Sequence, residues 1–67
     1  MNQHEFTMQH DKTIQIIETN IKKVKTSISD DVKHNRMYKT IGILSFAKEL
    51  EIITSDEYEH YFNRLFQ

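Results

Sequence analysis

The sequence predicts an all-α fold, a three-helix arrangement in a single small domain over residues 1–67. Three observations carry this reading. Ile14, Ile17, Ile21, Val24 and Ile28 recur at spacings of 3, 4, 3 and 4, which places them on one narrow face of a helix. The chain has no Pro and one Gly, so it lacks the residues on which the tight turns of a multi-strand fold depend. Thr54 and Glu57 stand three apart before an aromatic run at helical spacing, the signature of a capped helix start.

The first helix is the long one. Steps of four back from Ile14 meet His10 and Phe6. It therefore begins near residue 3, with Asn2 as cap and Glu5 three residues on, or later, with Asp11 as cap. Running from residue 3 to 28 it would be about 39 Å long. Thr13, Thr19 and Thr26 add β-branched side chains that favour a strand, but the adjacency of Ile16 and Ile17 breaks the alternation a strand requires.

Ser29, Asp30 and Asp31 interrupt the seam with residue types that cap a new helix and place negative charge in its first turn. The second helix starts there, or near Met37 if Lys33, His34, Asn35 and Arg36 form a loop. Its apolar residues Val32, Met37, Ile41, Ile43, Leu44, Phe46, Ala47 and Leu50 occupy more than half its circumference, the pattern of a helix buried on two sides. Gly42 in its interior points to a close backbone approach by a neighbouring helix, or else to a functional hinge.

The third helix opens on a capping box, Thr54 with Glu57, and a hydrophobic staple, Ile53 with Tyr58. Tyr58, Tyr61, Phe62, Leu65 and Phe66 follow, making it short and aromatic. The few residues between Leu50 and Thr54 make helices two and three close neighbours, antiparallel or steeply crossed. Phe46, Phe62 and Leu65 are expected in the core, Tyr61 and Phe66 on a partner-binding surface, because Tyr and Phe are enriched there.

The stretch ELEIITSDEYEHYFNRL resembles a turn found in small bacterial and phage proteins, and the composition, rich in Ile and Lys, resembles that of low-GC Gram-positive bacteria and their mobile elements. The size and layout are similar to those of a two-helix phosphatase family of bacterial sporulation control. The S-Q-x-L-D motif of that family is absent, the nearest segment being Ser45 to Leu50.

No catalytic apparatus is legible. One Gly excludes a Gly-rich phosphate loop, and no Cys is present for disulfides or thiolate metal sites. Glu57 and His60 form a single E-x-x-H, whereas di-iron bundles need two copies and two further carboxylates. The expectation is a chain that is not an enzyme and has no metal or cofactor. His10 is read as a helix-end or interface histidine. With no secretory signal pattern or apolar run of about 18 residues, the expected location is cytoplasmic, without a membrane partner.

The leading expectation is a small protein-binding regulator or inhibitor, from a phage or mobile element, whose partner is another protein. A core this small supplies only about 3–5 kcal/mol. A homodimer is therefore expected, self-associating through Phe6, His10, Ile14, Ile17, Ile21, Val24 and Ile28. The alternative is a nucleic-acid-binding accessory, a transcription or copy-control factor. Overall charge is balanced, 9 Lys and Arg against 10 Asp and Glu, yet Lys22, Lys23, Lys25, Lys33, Arg36 and Lys39 cluster mid-chain, and such clusters bind phosphate backbones. A helix-turn-helix is disfavoured, because its recognition helix would open on Asp56, Glu57 and Glu59.

Overall fold

The computed structural model describes the backbone of residues 3–67 and the side chains of residues 7–67. The described residues form three helices, α1 (Gln3–Lys25), α2 (Asp30–Glu49) and α3 (Ser55–Arg64), with no strand among them. The fold is all-α, as the periodicity predicts.

The early start for α1 holds, and its C-terminal limit is Lys25, short of Ile28. Asn2, the expected cap, lies outside the described residues. Side-chain bonds bring about the ending: the Thr26 hydroxyl donates to the Lys22 carbonyl at 2.9 Å and the Ser27 hydroxyl to that of Lys23 at 2.7 Å. These hydroxyls compete with the backbone for the last carbonyls of the helix. Arg36 then reaches back from α2, donating to the Lys23 carbonyl at 2.9 Å and to Ser27 Oγ at 3.1 Å. A cation there also opposes the negative end of the α1 dipole.

Ser29 caps α2, accepting from the Val32 N–H, with Asp30 and Asp31 in the first turn. Lys33 to Arg36 are helical, so the later start near Met37 does not occur. At the other end the Glu51 N–H donates to the Lys48 carbonyl and the Ile52 N–H to the Ala47 carbonyl, both at 2.9 Å. This is a Schellman closure, and it puts Glu51 at a φ of 60°. A left-handed backbone suits Gly, and here a glutamate occupies it.

The capping box of α3 is complete: Thr54 Oγ1 accepts from the Glu57 N–H at 3.1 Å, and Glu57 Oε1 accepts from the Thr54 N–H at 3.0 Å. Both staple residues belong to the core assembly, Ile53 buried and Tyr58 packed against it.

α2 runs back along α1. α3 then runs in the same sense as α1, because His10 meets Glu57 near the start of α3 and Glu18 meets Arg64 at its end. The core is Ile17, Ile21 and Val24 from α1, Leu44 and Ala47 from α2, and Ile53 and Leu65. Thr40 is buried among them and satisfies its hydroxyl on the Arg36 carbonyl at 2.7 Å. The result is a rod of 42 × 17 × 16 Å.

This packing buries part of the α1 seam through which self-association is expected. Ile17, Ile21 and Val24 are wholly buried within one chain and Ile14 partly so. Ile28, beyond the helix end, is 99% exposed. The Phe6 side chain lies outside the described residues. Phe46, expected in the core, is instead 64% exposed.

Candidate functional site

α2 is where sequence and structure leave most unexplained. Thr40, Leu44 and Ala47 form its buried line, at helical spacing of four and three. Tyr38, Gly42 and Phe46 follow one another at intervals of four on the opposite side, and Leu50, the C-cap residue just past the helix, continues the interval. Tyr38 is 75% exposed, Phe46 64% and Leu50 53%. Three large apolar or aromatic side chains thus stand exposed in a ridge along α2 and its C-cap, an arrangement more typical of a binding surface than of scattered surface residues.

Gly42 sits in the middle of this ridge. It has no positive φ that would require a glycine, and a Cβ built there meets nothing within 4 Å. A glycine in a helix interior costs about 1 kcal/mol relative to alanine, and nothing within the chain needs it. The neighbouring helix expected at Gly42 is therefore not supplied by this chain.

The charges along the ridge are divided. Lys39 lies on the N-terminal side of Gly42 and Glu49 on the C-terminal side, both exposed and neither in an ion pair among the described residues.

The other predicted residues are dispersed. Phe66 is 59% exposed and lies 5.1 Å, ring to ring, from the half-buried Phe62. Tyr61 is half-buried against the core, with the Arg64 guanidinium 5.5 Å from its ring centre, and burial pushes its phenol pKa up. Of the basic cluster, Lys22, Lys23, Lys25, Lys33 and Lys39 are exposed, whereas Arg36 is engaged in closing the α1–α2 turn. Lys22 and Lys25 line an open groove with Arg64, Thr19 and Thr26, but Arg64 is held by Glu18 at 2.6 Å.

His10 is neither at a helix end nor free. Its Nε2 lies 2.6 Å from Glu57 Oε2 and its Nδ1 3.4 Å from Asp11. The hydrogen bond to Glu57 raises the His10 pKa above its ordinary 6.5, against the opposing effect of burial. For Glu57, burial is the largest influence and pushes upward; the Thr54 N–H and His10 together outweigh it and hold the carboxyl below its ordinary 4.5. Glu18 is lowered chiefly by its bond to Arg64. Both acids are thereby committed to joining helices. Among the described residues no three His, Asp or Glu side chains converge as a metal site would require, and no buried side-chain polar atom lacks a partner. No described helix is long and apolar enough to cross a membrane.

Compared with family models, curated proteins and solved structures, the chain matches none.

The ridge was missed by sequence reasoning, although a signal for it existed. Apolar residues all round α2 imply two buried sides, and the interval of four from Tyr38 through Gly42 and Phe46 to Leu50 marks the second side. The Ile and Val seam on α1 was more regular and drew the self-association surface to itself.

Proposed function

We propose that this chain is a small regulator that acts by helical protein–protein contact, with the outer face of α2 as its contact surface. The observation that carries the reading is the exposed ridge of Tyr38, Phe46 and Leu50 around a glycine that the chain itself does not need. Aromatic anchors flanked by polar residues are the side chains that dominate binding energy at protein interfaces. Self-association remains part of the reading. It does not use Ile17, Ile21 and Val24, which the fold keeps inside.

Affinity capture from a lysate of the source cell, nuclease-treated, tests this with the wild-type chain beside a Tyr38→Ser/Phe46→Ser variant. The ridge is exposed, so the variant keeps its helical circular dichroism. It loses at least about 10-fold in recovery of a stoichiometric protein partner, as expected when about 1.4 kcal/mol or more of contact energy is removed. Equal recovery by both chains would refute the assignment.

A second reading rests on the exposed Lys22, Lys23, Lys25 and Lys33 at and around the α1–α2 turn, with Lys39 further along α2, none of which is in an ion pair among the described residues. Such an end of the rod supports contact with a nucleic-acid backbone, and binding to nonspecific duplex would then weaken steeply with salt. No binding at ~50 mM salt removes it.

A further inference from the structure

The ridge on α2 is self-complementary, and this identifies an occupant. We infer that two copies of the chain pair through α2, antiparallel, with the two-fold axis at Gly42. The inference rests on the reading of this face as a protein-contact surface and adds the partner's identity.

In an antiparallel pair centred on Gly42, each position a given distance before it faces the position the same distance after it on the second copy. Tyr38 then lies against Phe46 of the second copy, twice over, because a two-fold interface repeats every contact. The two glycines meet at the crossing, where the absence of side chains lets the backbones approach, and each has open space above it in the single chain.

Charge then selects the orientation. Asn35 faces Glu49 of the second copy, and Lys39 comes within one turn of the same glutamate, about 6 Å along the axis. In a parallel pair Lys39 would stand beside Lys39 and Glu49 beside Glu49. Like charges across an interface disfavour that arrangement, and opposite charges favour the antiparallel one. Neither residue has an ion-pair partner of its own among the described residues, so both are available. The interface is a single helix face, at the small end for stable association, so the dimer dissociates on dilution.

The test uses the full chain and two kinds of variant. Light scattering of the wild type should give twice 8.1 kDa at ~100 μM, falling toward one chain on dilution. Gly42→Leu should keep the helical spectrum, since the position is open in the single chain, and weaken association at least about 10-fold. Because the chain has no Cys, Asn35→Cys and Glu49→Cys can be introduced separately. Mixed and treated with a short bis-maleimide, they should give the hetero-linked product, while each alone links poorly. A wild type that stays at one chain's mass at ~100 μM, a Gly42→Leu chain that remains dimeric, or efficient linking of Asn35→Cys to itself would each overturn the inference. Loss of partner capture by Tyr38→Ser/Phe46→Ser in a chain that is strictly monomeric would overturn self-pairing and leave the contact-surface reading standing. A dimer matching these results with unchanged capture would leave self-pairing standing and show that the captured partner binds elsewhere on the chain.

Discussion

Two residues stand in each other's expected places. Glu51 adopts the left-handed conformation that favours glycine, while the chain's one glycine occupies an ordinary helical position. A non-glycine residue held left-handed costs roughly 1 kcal/mol. Glu51→Gly should therefore raise stability by about 0.5–1 kcal/mol in chemical denaturation, and an unchanged midpoint would show that the Schellman turn is not strained. At His10 the consequence is a pH dependence. The folded state holds its proton more tightly than the unfolded chain, so this contribution is complete below about pH 6.5 and is lost as pH rises through the folded His10 pKa. Glu57 and Glu18 act in the opposite sense, contributing fully above about pH 4.5 and fading as pH falls through their lowered values. The melting temperature should peak between these limits, and His10→Asn should flatten the fall on the alkaline side. A melting temperature constant from pH 6 to 8 in the wild type would contradict the His10–Glu57 clamp.

At the scale of the element, much was legible and the reasons can be named. Local chemistry fixed the starts of α2 and α3: Ser29 with two aspartates, and Thr54 with Glu57, satisfy their own backbone groups without reference to the rest of the chain. Thr54→Ala should accordingly cost about 1 kcal/mol, measured by urea denaturation, with Thr54→Ser restoring most of it. The end of α1 was harder to see. Ile28 continued the apolar period, but Thr26 and Ser27 turned their hydroxyls onto the last carbonyls, and Arg36, from another helix, closed the turn. Periodicity reports which face is apolar and is silent about where side chains terminate a helix. The same limit explains Phe46: hydrophobicity alone does not say which of two apolar sides of α2 the chain covers for itself.

The whole molecule is a rod in which α2 packs against both α1 and α3, with two side-chain contacts, His10–Glu57 and Glu18–Arg64, fastening α1 to α3. Its core is small, so single deletions are felt globally. Leu44→Ala should cost about 2–5 kcal/mol, comparable to the roughly 3–5 kcal/mol that a core of this size supplies, and circular dichroism should show the variant largely unfolded at 25 °C unless dimerisation rescues it at high concentration. The seam that made the fold legible is also what misdirected the reading of its surface, since residues regular enough to define a helix are those the fold buries first. What the chain offers outward is the other side of α2. Sedimentation equilibrium of the unmodified chain across a dilution series tests that claim most directly. Pairing through α2 predicts a mass rising from 8.1 kDa toward twice that value as concentration increases, and a single 8.1 kDa species at every concentration up to ~100 μM would contradict it.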